Sequence, residues 1–542
     1  MASPTSPAST VIEPYTMHVS LRYLDLTRKK LELTRMPREA SIAEFGKWAV
    51  GTPRAVLEPL IDYWLENYDW RSQEAFFNST LRQYRTLITY HPLTESLRVH
   101  FVHHRSDRVS AIPLLYCHTW PGSFLEITRC IDALVNPVEP EPKPIQEGGI
   151  HRERVAFHVV VPSIPGFGFS DASQYPDFGA AKTADVLAVL MERLGYGRFA
   201  VWGDGWGFKI ARMLVQRHES MVAAVYTSCA NDLAPPQPLK SKDAWLKYQI
   251  ARLTGARFSW LAFGYTSSDF GAAADTSIAD DSTNHSHAKE DGIELGQNFV
   301  SGNDSQYDVE TESFAFKYGF STDSVTKRPQ TLAYGFCDSP AGLLAFLLDV
   351  LKPNISHIPP PPPFMKTQTR HRSSAVLQHR MSTIIENVPE HTNFTPANVL
   401  DWVMMYWLPG PEASLRWLAT VEKEDCFARY SEVPLGISWY NTNSSVQLRR
   451  QGLPHARSFE ASLSSGLGSK AVGFKGSSQA STQDRPSTIS PMWAAAVQNL
   501  KWVKRRKENL SNGVPAWEKS SEVVEDIKEF FELGRSKGWL GL

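Results

Sequence analysis

The residues with the most to say about chemistry sit in one pentapeptide, Gly203-Asp204-Gly205-Trp206-Gly207, directly after the short apolar run Phe199-Ala200-Val201-Trp202. A strand that breaks at a glycine-rich turn and continues as a helix can present a single side chain as a nucleophile. Glycines two residues to either side let the backbone bend sharply, and the central residue points upward. Gly203 and Gly207 frame position 205, which is itself glycine. Asp204 comes one residue early, where its carboxylate is expected to aim away from a cleft and to hydrogen-bond the turn's own backbone. Only in a reshaped turn would it serve as a displaced nucleophile. Covalent catalysis of this kind also needs a base to activate water, usually a histidine oriented by an acid. No histidine follows His455.

Such a turn requires a strand before it and a helix after it, and the flanking chain reads that way repeatedly. Leu97 to Val102 alternates, Pro113 to Tyr116 is a short apolar run, and Thr119-Trp120-Pro121-Gly122 is a turn leading into a helical stretch from Ser123. Phe157-His158-Val159-Val160-Val161-Pro162 reads as a buried strand, Ala184 to Leu194 as a helix. Strands alternating with helices argue for a mostly parallel sheet covered on both faces, the α/β class. Ahead of it, Ile12 to Tyr90 reads as a helical arm. After it, Ala397 to Val421 is helical, Val433 to Tyr440 is strand-like, a last strand lies near Val503, and Glu522 to Leu533 is an amphipathic helix. Between about residues 265 and 325, and again from 455 to 490, the composition turns polar and predicts insertions without a core; His285 and His287 lie in the first. Pro359 to Pro363 predicts an extended linker.

A chain of 542 residues with a formal net charge of -1 carries no field suited to nucleic acid or an anionic membrane. The basic run Lys504-Arg505-Arg506-Lys507 is expected to be a solvated edge. Five scattered cysteines without CxxC pairs imply a reduced, cytoplasmic protein with no metal and no cofactor. The longest apolar stretch, Ala341 to Leu351, contains Asp349 and is too short to span a bilayer, so the expected protein is soluble.

Several segments together resemble the microsomal type of epoxide hydrolase and its fungal and bacterial relatives, over most of the chain. They are Tyr68-Asp69-Trp70-Arg71, Val102-His103-His104, His118-Thr119-Trp120-Pro121-Gly122-Ser123 (the HGWPGS loop), Pro162-Ser163-Ile164-Pro165-Gly166-Phe167-Gly168-Phe169-Ser170, Met191-Glu192-Arg193-Leu194-Gly195-Tyr196, Pro329 to Gly335, and Asp338-Ser339-Pro340-Ala341-Gly342. The resemblance implies an α/β-hydrolase fold with a helical cap. It implies an epoxide-hydrolase-like N-terminal region over 12–124, core over 97–235, cap over 236–430 and core again over 431–542. It also implies hydrolysis of an epoxide to a diol: an Asp attacks a ring carbon, a His paired with an acid hydrolyses the ester, and two cap tyrosines hold the epoxide oxygen.

The family's Gly-Gly-Asp-Trp-Gly falls on the pentapeptide with its two middle residues exchanged, so the nucleophile's position is Gly205. The base's position falls on Gly513, the acid's on Asn443, the first tyrosine's on Phe320 (Ser321 in another register), and the second's on Leu418. Tyr318 and Tyr334 are the candidates to compensate for the first. His118, Thr119, Trp120 and Trp206 remain as the expected cleft wall, with backbone N–H groups near Trp120 and Trp206 as its anion-binding part. Three readings stay open: a hydrolase using Asp204, a silent relative binding a small apolar molecule, an epoxide or a partner protein, and a cleft redirected to non-hydrolytic chemistry.

Overall fold

A computed structural model describes residues 11–39, 51–90, 95–138, 154–230, 233–270, 327–351, 394–442, 489–510 and 513–541. The strands are β1 (Ile12–Pro14), β2 (Gln83–Tyr90), β3 (Glu95–His104), β4 (Ile112–Cys117), β5 (Phe157–Pro162), β6 (Phe199–Gly203), β7 (Val222–Thr227), β8 (Ser431–Thr442) and β9 (Gln498–Leu510). They form one sheet in the order β1-β2-β3-β5-β4-β6-β7-β8-β9. Pairing is antiparallel from β1 to β5 and parallel from there to β9. Strands β6 and β7 are buried along their whole length, as unbroken apolar runs in the middle of a doubly covered parallel sheet should be.

Helices α1 (Leu21–Glu32), α2 (Arg54–Glu66) and α3 (Trp70–Thr80) form the N-terminal arm, followed by the short α4 (Ile131–Val135). Within the core, α5 (Ala180–Arg193) and α6 (Trp206–Arg217) pack on one another. A cap contains α7 (Lys242–Thr254), α8 (Ser259–Ala262), α9 (Pro329–Asp338), α10 (Pro340–Leu351), α11 (Pro396–Trp407) and α12 (Glu412–Val421). The chain closes with α13 (Pro515–Glu518) and α14 (Ser520–Lys537). Phe530 and Phe531 of α14 meet Tyr226 of β7 and Phe157 of β5 at ring-centroid distances of 6.2 and 5.4 Å, so this helix reaches across the sheet.

The arm is fastened to the cap by polar contacts of low exposure. Tyr68 donates its hydroxyl to Asp401 Oδ1 at 2.8 Å, and Trp407 donates Nε1–H to Thr27 Oγ1 at 2.7 Å. Burial pushes the Asp401 carboxyl up to about 7.

Four expectations are corrected. The arm is not helical throughout, because β1 and β2 extend the sheet antiparallel to β3. In β2, Thr86 and Ile88 are buried at a spacing of two. The helical stretch from Ala397 to Val421 is two helices, because Pro409 and Pro411 remove backbone donors and Gly410 turns to φ +88°. The polar insertion does not begin at Tyr265: residues 265–270 are packed, with Tyr265 and Asp269 buried; the rest of that insertion, and the linker at Pro359 to Pro363, lie outside the described residues. Finally, Lys504 to Arg506 are not a solvated edge. Side chains alternate across β9, so Lys504 and Arg506 meet Asp526 of α14 at 2.9 and 3.0 Å, while Arg505 reaches Asp269 Oδ2 at 2.7 Å on the other face. Among the described residues no helix is long and apolar enough to cross a membrane.

Candidate active site

Strand β6 ends at Gly203 and α6 starts at Trp206, so Asp204 and Gly205 alone make the turn. Gly205 holds φ +52° and ψ −114°, a conformation that L side chains rarely adopt. A Cβ on Gly207 would stand 2.0 Å from the Cys117 carbonyl oxygen, which is why the first turn of α6 can press directly on β4. The backbone of a nucleophile's seat is thus present at 205, without a side chain.

Asp204 turns the other way and is fully buried. Its Oδ1 accepts from the backbone N–H groups of Ser228 at 2.6 Å and Cys229 at 3.1 Å. Its Oδ2 accepts from the Trp202 indole N–H at 2.9 Å. The Ser228 hydroxyl stands 3.0 and 2.9 Å from the two oxygens, and Thr227 Oγ1 lies 3.3 Å from Oδ1. Burial pushes the carboxyl up to about 6 against the pull of these donors. The group ties the end of β6 to the segment that follows β7.

The loop after β4 lies beside the turn. His118 is fully buried and both ring nitrogens are taken up within the fold: Nδ1–H donates to the Thr119 carbonyl at 2.9 Å while Nε2 accepts from Ile164 N–H at 3.3 Å. Burial lowers its pKa to about 4, so the ring stays neutral. Thr119 Oγ1 accepts from the backbone N–H of Trp206 at 3.3 Å, and a Cβ built on Gly205 would lie 2.5 Å from that oxygen. Aromatic rings of the cap stand over both segments. Trp120 lies 5.9 Å from Phe346 of α10, and Trp206 lies 6.2 Å from Trp417 of α12 and 4.4 Å from Lys209 Nζ.

Of the remaining expected positions, Gly513, Leu418 and Tyr334 fall among the described residues. Gly513 sits at φ +71° in the loop between β9 and α13. Leu418 is buried within α12. Tyr334, a candidate substitute, is 75% exposed, so its side chain faces solvent. Asn443, Phe320, Ser321, Tyr318, His285, His287 and His455 lie outside the described residues. Among the described residues no group of three or more His, Cys, Asp or Glu gathers that could hold a metal ion.

Two residues that matter here were not singled out from the sequence. Glu126 is fully buried; it accepts from the Tyr116 hydroxyl and, at 3.3 Å, from Thr119 N–H. Burial pushes its carboxyl up to about 8, opposed chiefly by the Tyr116 hydrogen bond. The spacing Ser123-x-x-Glu126 is the legible signal, since Ser or Thr followed three residues later by Glu marks a helix start. Tyr406 donates its hydroxyl to the Gly122 carbonyl at 2.5 Å and ties α11 to the loop. A tyrosine that reaches a backbone oxygen leaves no such pattern.

Residues 12–127 match the epoxide hydrolase N terminus family and residues 112–261 the alpha/beta hydrolase fold family. A Stigmatella aurantiaca (strain DW4/3-1) protein that carries the epoxide hydrolase name is 32% identical over 254 residues, 47% of this chain and 53% of that protein. Epoxide hydrolase 1 of Oryctolagus cuniculus is 29% identical over 262 residues, 48% of this chain and 51% of its own length. The chain therefore spans about half the length of the curated relatives it matches. The crystal structure of juvenile hormone epoxide hydrolase from the silkworm Bombyx mori shares the fold at a TM-score of 0.57 and 16% identity, covering 98% of this chain and 95% of that one. The two family matches overlap at 112–127 and together span residues 12–261, so this stretch joins an epoxide hydrolase N-terminal region to an alpha/beta hydrolase core, and the chain as a whole has the α/β-hydrolase fold.

Proposed function

We propose that this chain is a catalytically silent member of the epoxide hydrolase family, its cleft retained and its reaction lost. One observation carries the reading: both oxygens of Asp204 are taken up by donors of its own core, and position 205 has no side chain. A carboxylate attacks an epoxide carbon only if a lone pair reaches it unhindered. Asp204 is fully buried on the far side of the turn, so it acts as a clasp in the core. Position 513 carries no base, and Leu418 carries no hydroxyl for a developing alkoxide.

The decisive experiment incubates the purified chain with styrene-type and aliphatic epoxides. No diol is expected, and no ester at Asp204 in a single turnover; diol formation by the unaltered chain would overturn the reading. The aromatic rings of Trp120, Phe346, Trp206 and Trp417 favour a second use of the cleft, binding of a small apolar molecule. Thermal shifts with apolar epoxides and diols measure this, and flat shifts across the series would count against it. The five cysteines are scattered along the chain without CxxC pairs, which supports a reduced, cytoplasmic setting. The same reading divides the chain into an arm and first strands over 12–124, core over 97–235, cap over 236–430 and core over 431–542.

A further inference from the structure

Resting on the reading just given, we infer that Thr119 is a second lock on the site: its hydroxyl occupies the space of a side chain at 205 and takes up the Trp206 N–H.

Two independent distances carry this. A Cβ at position 205 would lie 2.5 Å from Thr119 Oγ1, closer than real Cβ atoms approach a neighbour, so Thr119 and any residue larger than glycine at 205 compete for one volume. From the other side, the Trp206 backbone N–H, the first donor of α6, points to the same oxygen at 3.3 Å. The four leading N–H groups of a helix lack partners within it, and here a side chain from the β4 loop supplies one. Thr119 is itself 3% exposed. Its backbone is held on both sides, its N–H donating to Glu126 Oε1 at 3.3 Å and its carbonyl accepting from His118 Nδ1 at 2.9 Å. The loop backbone is thereby fixed, and the hydroxyl itself is engaged, accepting from Trp206 N–H and donating to the Trp120 carbonyl at 3.4 Å. The loop that this segment resembles reads His-Gly-Trp-Pro-Gly-Ser, with glycine where Thr119 stands. The two glycine exchanges are one steric event: a side chain absent at 205 and a side chain present at 119.

Thr119 is thus a positioning residue. Putting a carboxylate back at 205 without clearing Thr119 would push it against the hydroxyl and leave the N–H of Trp206 occupied.

A double-mutant cycle tests the pairing. Gly205→Ala is made with Thr119 present and in Thr119→Gly, with Thr119→Ala as a second background should the glycine variant fold poorly. The positive φ at 205 penalises alanine equally in every background, so the difference reports only on Thr119. The expected result is a fall in Tm of several degrees beside Thr119, and less than half that fall once its hydroxyl is gone. Equal falls in all backgrounds would overturn the inference. Amide exchange read on the peptide containing Trp206 supplies a second readout. Thr119→Ser is expected to keep the Trp206 amide slow, and Thr119→Val, with similar bulk and no acceptor, to speed its exchange about tenfold. Unchanged exchange in the valine variant would equally overturn it. An unaltered chain that hydrolysed epoxides would instead sink the silent-relative reading and leave the coupling to be measured on its own.

Discussion

The backbone N–H of Ser228 donates to Asp204 Oδ1 at 2.6 Å, and the Ser228 hydroxyl stands within 3.0 Å of both carboxylate oxygens. The bond joins the end of β6 to the exit of β7, two central strands of the sheet, and makes Asp204 part of the frame. Asp204→Ala takes the acceptor from the Ser228 N–H and the Trp202 indole N–H, at about 1–3 kcal/mol for each group so orphaned, while Cys229 N–H keeps Thr227 Oγ1 at 3.2 Å. The expected loss of unfolding free energy is on the order of 3–5 kcal/mol, measured by denaturant unfolding, with Asp204→Asn losing less because it keeps one acceptor oxygen. A loss within about 0.5 kcal/mol would remove Asp204 from the frame.

Glu126 and Asp204 make stability fall as pH rises. Burial raises both folded-state values above the ordinary ones, Glu126 from 4.5 to about 8 and Asp204 from 3.8 to about 6. Between the ordinary and the raised value the folded chain holds the proton and the unfolded chain has released it. The contribution is therefore fully present below the lower value and lost as pH climbs through the upper one. Glu126→Gln cannot ionise. Its stability relative to the unaltered chain is expected to improve between pH 5 and pH 8 by on the order of a few kcal/mol. A gap that stays flat across this range, in paired thermal unfolding curves, would assign the ionisation elsewhere.

Gly513 stands at φ +71°. Gly513→Ala is expected to cost about 1 kcal/mol, and Gly513→His at least as much, because a Cβ disfavours the left-handed region. A histidine placed there alone yields no diol, since position 205 still lacks a nucleophile. Unfolding curves and the epoxide assay report the two effects separately.

Arg505 reaches Asp269 at 3.0 and 2.7 Å and the Gly264 carbonyl at 3.3 Å, joining the 265–270 segment to β9. Arg505→Ala leaves Asp269 buried without its cation. Limited proteolysis is expected to cut between Ser259 and Phe270 at least several-fold faster in the variant, while cleavage at the N-terminal arm is unchanged. Equal rates at both places would mean that packing by Tyr265 is enough to hold the segment.

The central sheet was legible because β5, β6 and β7 are continuous apolar runs, and such runs have one comfortable home, between two layers of helix. β2 was hidden: Gln83-Tyr84-Arg85-Thr86 offers a polar surface, and only pairing with β3 across eight positions makes it a strand. At the site, glycine spacing betrayed the elbow, and the missing side chain at 205 could be read directly. The contest between Thr119 and Gly205 could not, since the two are far apart in sequence and meet only because β4 and β6 lie side by side. For the same reason the basic run at 504–506 looked solvated; its acidic partners come from α14 and from the 265–270 segment, distances no local pattern encodes.

The three residues of β1 pair with Tyr84, Arg85 and Thr86 along the outer side of β2. They are short and largely exposed, yet among the described residues they form the strand that covers this stretch of the β2 edge. A version of the chain started after Pro14 would keep its elbow, its cap and its family signature, but would present a bare strand edge to other copies. Its expected fate at high concentration is aggregation through the sheet, a colloidal failure that assays of the cleft would misread as poor folding.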